Sequence, residues 1–203
     1  TIWFATNRGL GRFKNDNFKL FNEADGLIRP RGNCDVNVGK NEEIIYSTYG
    51  YGFSIFNGNE FINFDEKNGL GDNRVWDLAV DSKNNYWLAL DGKGVEMYDG
   101  KEFHSYQIKD GVTAGETFTA HVDDFDNVWI GTFGGGVCYF DGKIWNSVDT
   151  RDGLLDNTIG AICSIDGNKY LFGSQKGITL YMPKKKAPNV SISKIKTASG
   201  SYN

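Results

Sequence analysis

The sequence predicts an all-β protein made of repeated, four-stranded antiparallel sheets. Three observations predict it: a period of 42 residues, strands that are apolar on both faces, and turns rich in Gly, Asn and Asp. The 203 residues include 14% aromatic residues, 26 Gly and only 3 Pro. This composition is typical of a globular, turn-rich protein and argues against disorder.

Strand-like segments recur along the chain at a fixed spacing. The second residues of five such segments lie at positions 3, 45, 87, 129 and 171, so each interval is 42 residues. Aromatic residues followed by Asn-Gly or Asp-Gly place their glycines at 58, 100 and 142, and a further Asn-Gly or Asp-Gly series places its glycines at 69, 111 and 153. Three series with one period predict one repeating structural unit.

Each unit divides into four short strands. In the unit that follows Gly69, we predict them at about 74–80, 86–90, 95–98 and 102–107. The second strand is apolar at almost every position, as expected for a strand buried on both faces. One sheet cannot cover both of its own faces. The units are therefore predicted to stack as the blades of a β-propeller.

The repeat also defines the predicted domain organisation. About five blade positions of a partial ring are assigned to residues 1–26, 27–69, 70–111, 112–153 and 154–182. Residues 183–203 are interpreted as a linker and the first strand of a following module, because alternating Val190, Ile192 and Ile195 follow Pro188. The chain starts within a strand pattern, so we expect the rest of the ring to lie in a longer protein.

The most complete copy of the motif is centred on Trp129. The turn Asp123-x-x-x-Asn127 precedes Trp129-Ile-Gly-Thr, and Phe140-Asp-Gly follows. The unit around Trp87 matches nearly as well, whereas the unit near position 45 lacks both the Trp and the Asp/Asn turn. Over residues 1–182, the pattern resembles the two-component regulator propeller repeat.

This resemblance implies a location and a role. Members of that family form the periplasmic sensor region of many bacterial hybrid histidine kinases, where a β-sandwich, a membrane helix and the kinase follow the propellers. The resemblance therefore implies a non-enzymatic sensor fragment that works with other parts of the same protein. The parent protein is then expected to be a kinase.

Composition and motifs argue against several other functions. The net charge of −4 and the pI of about 5.2 argue against nucleic-acid binding, and no apolar run is long enough to span a membrane. His104 and His121 lack a catalytic partner, and the Asp/Asn turns lack the spacing of an EF-hand. Cys34, Cys138 and Cys163 form no zinc-binding pattern. We predict no catalytic residue, no metal and no cofactor.

Ligand binding is the function that the loops favour. One face of a propeller gathers the loops between strands two and three and those that lead to the next blade, and function often concentrates on such loops. Aromatic rings there would stack on sugar faces while polar groups bind hydroxyls, so an oligosaccharide is the predicted ligand. The predicted binding residues are Asn7, Arg8, Tyr49, Tyr51, Arg74, Lys93, Glu116 and Phe133.

Two alternatives remain open at this point. If the loops are ordinary solvated turns, the propeller is a platform for protein interaction, including formation of a homodimer. A propeller enzyme such as a lyase or lactonase is the third class. It would need acidic or histidine ligands that converge in the central channel, and the repeat does not supply them.

Replacement of Trp129 tests the predicted packing of blade on blade. We expect Trp129→Ala to lower the free energy of unfolding by about 3–5 kcal/mol, because a large side chain is removed from a core with both faces covered. Thermal or chemical denaturation measures the change. A melting curve that matches the parent protein would show that Trp129 lies elsewhere.

Overall fold

The computed structural model describes residues 1–165 and 168–183, together with two short strands near the C-terminus, 195–197 and 200–202. Eighteen strands form five antiparallel sheets, which we call blades 1 to 5. In order of blade, the strands are β1 (Ile2–Thr6), β2 (Gly9–Lys14) and β3 (Asn17–Phe21); β4 (Cys34–Val38), β5 (Ile44–Thr48), β6 (Gly52–Phe56) and β7 (Phe61–Phe64); β8 (Val75–Val80), β9 (Tyr86–Leu90), β10 (Gly94–Tyr98) and β11 (Phe103–Tyr106); β12 (Thr117–Val122), β13 (Val128–Thr132), β14 (Val137–Phe140) and β15 (Trp145–Val148); β16 (Ile159–Ile165), β17 (Lys169–Ser174) and β18 (Gly177–Tyr181).

The blades are meanders, since strands adjacent in sequence are paired in each sheet. Blades 2, 3 and 4 have four strands and blades 1 and 5 have three, which confirms the predicted all-β fold of stacked antiparallel blades. The first strands β4, β8, β12 and β16 lie next to one another and form the inner wall of the arc. Within the described residues, no helix combines the length and hydrophobicity needed to cross a bilayer.

The C-terminal segment is described only in part. β19 (Ile195–Thr197) and β20 (Gly200–Tyr202) pair as a short antiparallel hairpin. The predicted strand through Val190 and Ile192 lies outside the described residues. The assignment of 183–203 to a linker and a following module therefore stays a prediction.

Apolar packing between adjacent blades forms the core. Each of four clusters of buried residues joins two successive blades, so there is no single central core in the described structure. Trp87 in β9 shows the arrangement. Its ring lies 5.5 Å from that of Tyr106 in its own blade, and 5.8 Å from that of Phe140 in the next. Because Trp87 is only 3% exposed, its burial depends on the neighbouring blade.

A buried carboxylate organises the turn between the first and second strands. In blade 4, Oδ1 of Asp123 accepts the backbone N–H groups of Phe125 and Asn127, at 2.8 and 2.9 Å. Oδ2 accepts the indole N–H of Trp129 at 2.7 Å and the hydroxyl of Tyr170, from blade 5, at 2.6 Å. The repeated Asp-x-x-x-Asn motif is therefore turn chemistry that also fixes the buried Trp and the next blade.

The hydrogen bonds outweigh burial in setting the pKa of Asp123. Burial raises this pKa, but the bonds from Tyr170, Trp129 and Asn127 together hold it below its usual value. Asp81 accepts the corresponding bonds in blade 3, including the indole N–H of Trp87 at 3.0 Å. Both carboxylates are thus already saturated with protein donors.

Blade 2 also has a buried carboxylate in this turn, but it comes from the last residue of the turn instead of the first. Gly39 stands where blades 3 and 4 have Asp, and the carboxylate comes from Glu43, four residues later. Glu43 accepts the hydroxyl of Tyr86 from blade 3 at 2.5 Å, as Asp123 accepts that of Tyr170. A Cβ on Gly39 would lie 2.2 Å from Cδ of Glu43, so the glycine leaves room for the displaced carboxylate.

The blades are joined by one-turn 3₁₀ helices that the strand pattern did not predict. They span Glu23–Asp25, Glu66–Asn68, Ile108–Asp110 and Thr150–Asp152, and each has a capping box at its start. The glycine that ends each one has a φ of +92° to +111°, a conformation that favours Gly. The next residue, Leu or Val, is buried.

Blade 2 offers a test of the relocated carboxylate. We expect Glu43→Asn to lower the free energy of unfolding by about 2 kcal/mol, because the buried hydroxyl of Tyr86 loses a charged acceptor. Adding Gly39→Asp to that variant rebuilds the turn of blades 3 and 4, and should restore most of the loss. Urea denaturation of both variants measures this. No recovery in the double variant would contradict the equivalence.

Candidate functional site

The inner strands of three blades carry an extra residue at the same place. The pairing of β8 with β9, of β12 with β13 and of β16 with β17 shifts by one residue near the start of the inner strand. The extra residues are Trp76, Phe118 and Gly160, spaced by 42. A β-bulge redirects a side chain out of the regular alternation. The inner strand of blade 2 pairs without a shift.

Two of these bulge residues belong to a row of four aromatic rings, which we call the aromatic stripe: Tyr49, Trp76, Phe118 and Phe133. Successive ring centroids are 4.4, 5.5 and 5.8 Å apart. Tyr49 and Phe133 follow the second strands of blades 2 and 4, so the stripe runs from blade 2 to blade 4. Phe133 is 55% exposed and the other three are half-buried. Partly exposed rings on a fixed sheet offer a ready contact surface.

Charged groups hold the first ring of the stripe in place. Arg74 donates to both oxygens of Asp72, at 3.0 and 2.6 Å, and to Oδ2 of Asp91 at 2.9 Å. The hydroxyl of Tyr49 donates to the same Oδ2 of Asp91 at 2.5 Å. An isolated β-bridge also pairs Tyr49 with Arg74, which ties blade 2 to blade 3.

These contacts shift the pKa values of two members of the network. The hydrogen bond to Asp91 raises the pKa of the Tyr49 hydroxyl, and the hydrogen bond to Asp72 raises that of Arg74. Both groups are therefore kept protonated. One guanidinium bonds to two carboxylates, so the orientation of these polar groups is fixed.

The structure brings together only some of the sequence-predicted binding residues. Tyr49, Arg74 and Phe133 lie in the stripe or in its polar network. Trp76 and Phe118 were missed because they were assigned to regular inner strands, although their spacing of 42 residues was visible. A bulge depends on the partner strand's register, which the sequence of one strand does not show.

The other predicted residues lie outside the aromatic stripe and its polar network. Lys93 is exposed and borders a cavity of about 320 Å³. Glu116 is exposed, and its carbonyl accepts the backbone N–H of Phe133 at 3.0 Å. Asn7 and Arg8 occupy an exposed turn of blade 1.

Tyr51 has a different environment. Its ring packs on the core cluster between blades 1 and 2, and the guanidinium of Arg29 lies 5.3 Å from its centroid. This placement explains why Tyr51 and Tyr49 differ although they flank the same glycine. Tyr51 supports the scaffold, and Tyr49 lies in the stripe.

Each of the two histidines has a polar side chain within hydrogen-bonding distance. Nε2 of His121 lies 2.9 Å from Oγ of Ser164, and burial lowers the pKa of His121. His104 lies at a surface hairpin, 3.2 Å from Asp99. Asp99 accepts two backbone N–H groups of its own turn, so it serves the hairpin.

Comparisons with solved structures find the same fold in extracellular domains of two-component systems. No protein-family profile matches the chain, and no characterised protein matches it by sequence. The extracellular domain of the hybrid two-component system BT3049 from B. thetaiotaomicron is similar, with a TM-score of 0.76 and 18% identity, over 95% of this chain and 28% of that one. For the extracellular domain of BT4673, the TM-score is 0.70 and the identity 13%, over 98% and 32%.

A third solved structure shows how widely the fold is used. Virginiamycin B lyase from Staphylococcus aureus is similar with a TM-score of 0.61 and 15% identity, over 91% of this chain and 67% of that one. This chain spans less than a third of the two extracellular domains. At these identities the likeness establishes the propeller fold, and it agrees with the resemblance of the repeat.

The bond between Tyr49 and Asp91 gives a testable contribution to stability. We expect Tyr49→Phe to lower the free energy of unfolding by about 1–2 kcal/mol, since a charged acceptor loses its hydroxyl donor. Tyr51→Phe is the matched control and should leave the stability unchanged. Equal effects of the two substitutions in urea denaturation would contradict a special role for the Tyr49 hydroxyl.

Proposed function

We propose that this chain is part of the extracytoplasmic, periplasmic sensor region of a two-component signalling protein and that it binds a carbohydrate at the aromatic stripe. The observation that carries the proposal is the row of four rings beside a fixed network of charged groups. The similarity to extracellular domains of two-component systems supports the sensor role. The kinase and the membrane anchor would lie elsewhere in the parent protein.

The chemistry of the stripe suits a sugar. The C–H face of a sugar ring is apolar and can stack on an aromatic ring, whereas the sugar hydroxyls form strong hydrogen bonds with charged groups. The stripe supplies the rings, and Arg74 and Asp91 supply partners next to Tyr49. Because the rings extend over three blades, the stripe suits a chain of several sugars better than a single sugar. Trp76 and Phe118 lie in strands and Tyr49 and Phe133 directly follow strands, so little entropy is lost on binding.

Ligand screening tests this proposal. The protein is titrated with a panel of oligosaccharides by calorimetry, and each ligand that binds is retested with Trp76→Ala. We expect binding to weaken about tenfold or more, since one lost stacking contact removes on the order of 1 kcal/mol or more.

Phe125→Ala is the matched control for this experiment. Phe125 is 64% exposed and belongs to the turn that precedes β13, outside the stripe. The Phe125→Ala variant should bind each ligand with the affinity of the parent protein. Equal affinity of the Trp76 and Phe125 variants would contradict binding at the aromatic stripe. If no oligosaccharide in the panel binds, the proposal of a carbohydrate ligand is wrong.

A second candidate function is a protein-interaction platform. Blades 1 and 5 expose the faces that interior blades use for packing: Ile2 and Phe18 are 62% and 58% exposed, and Ile178 and Leu180 are 67% and 51% exposed. Concentration-dependent association in ultracentrifugation, abolished by Ile178→Asp and accompanied by no carbohydrate binding, would favour this function.

A further inference from the structure

Two aspartates lie on the inner strands of neighbouring blades, and one of them, Asp77, directly follows Trp76 of the aromatic stripe. Asp35 in β4 and Asp77 in β8 are separated by 42 residues and occupy corresponding positions in blades 2 and 3. Their strands, β4 and β8, pack against each other, and, besides burial, the charge of Asp77 contributes to raising the pKa of Asp35. Both line a cavity of about 310 Å³ formed by β4, β8 and β12. In blade 4 the same position is Thr119, so the pair does not recur there.

The hydrogen-bond donors around the pair are distributed unequally. Oδ2 of Asp77 accepts the hydroxyl of Thr119 at 2.8 Å and the backbone N–H of Ala120 at 3.0 Å. Oδ2 of Asp35 accepts the side-chain amide of Asn37 at 2.6 Å, and that amide is shared with the carbonyl of Leu78. With the backbone N–H of Leu78 on its Oδ1, Asp77 accepts three donors, whereas Asp35 accepts the amide of Asn37 and the backbone N–H of Val36. A proton on Asp35 can be donated to Asp77.

No basic side chain compensates the pair in the described part of the chain. The cavity lining contains no Lys or Arg, and none of the ion pairs found among the described residues involves Asp35 or Asp77. The other titratable side chain that lines the cavity is His121 from β12, whereas Cys34, next to Asp35 in β4, bonds to the hydroxyl of Tyr46. Burial lowers the pKa of His121, which leaves it neutral near pH 7. Two adjacent carboxylates cannot both ionise cheaply without a cation.

We propose that Asp35 and Asp77 bind one shared proton and thereby make the junction of blades 2 and 3 sensitive to pH near neutrality. With the proton present, a hydrogen bond joins the two blades. Without it, two negative charges repel across the same junction. The contact between Tyr49 and Trp76 crosses this junction, so the stripe is built on the proton-sensitive interface. The inference rests on the pair alone and holds whether or not the stripe binds a carbohydrate.

The direction of the pH effect follows from the folded and unfolded states. Burial, followed by the charge of Asp77, raises the pKa of Asp35 to about 7 from an ordinary value of 3.8. Folding therefore takes up a proton between these values. The stabilisation it gives is complete below about pH 4 and disappears as the pH rises through about 7. Near-neutral pH is thus where this junction should lose stability.

Thermal unfolding of the full chain at pH 5.5 to 8.5 tests the proposal. We expect the parent protein to lose on the order of 5 °C in its midpoint across this range. Asp35→Asn keeps the shape and supplies a permanent donor to Asp77, so its midpoint should stay nearly constant. Asp124→Asn, at an exposed carboxyl next to the turn of blade 4, is the control and should retain the slope of the parent protein. An unchanged slope in Asp35→Asn would overturn the proposal.

A second measurement does not depend on whether the variant folds. The side-chain carboxyl ¹³C resonances of the parent protein are followed by NMR from pH 3 to 9. One aspartate resonance should titrate near pH 7 and should be absent from the spectrum of Asp35→Asn. If every aspartate titrates below pH 5, the two groups share no proton and the proposal is wrong.

Discussion

Contact between adjacent blades is the interaction on which this structure depends. A blade is a thin sheet with two apolar faces, and burial of each face requires a neighbour. Trp129 is 1% exposed because rings from its own blade and from blade 5 enclose it, at centroid distances of 4.3 and 4.2 Å. The buried carboxylates add direction to this packing, since a Tyr hydroxyl from the following blade binds to the turn of the preceding one. The free energy of unfolding is therefore approximately a sum of contributions from the junctions between adjacent blades.

The sequence predicts the fold well because the signals for it are local and repeated. The apolar second strands and the Gly turns are visible in each unit, and the period gives their register. The 3₁₀ turns were missed because three residues are too few to show a helical period, although Gly69 and its counterparts marked their ends. The carboxylate of Glu43 was missed for another reason: its equivalence to Asp123 exists only in three dimensions, where the two side chains reach the same point from opposite ends of a turn.

The candidate site was harder to predict because it belongs to no single blade. Tyr49 and Phe133 were found because they lie in loops between second and third strands, where binding residues were predicted. Trp76 and Phe118 were concealed within strands, and only the shifted pairing reveals that they leave the regular alternation. The same holds for Asp35 and Asp77. Each is an unremarkable acidic residue in its own unit, and only the stacking of blade 2 on blade 3 makes them neighbours.

The bulges have a consequence for how such a protein can evolve. At a bulge, one residue is released from the alternation that packs a blade on its neighbours, so its identity is weakly coupled to the core. Blades 3, 4 and 5 carry Trp, Phe and Gly at this one position, and blade 2 lacks the bulge, while all four are antiparallel meanders. The scaffold therefore offers a variable row of positions, and mutation there can change recognition without a matching loss of foldability.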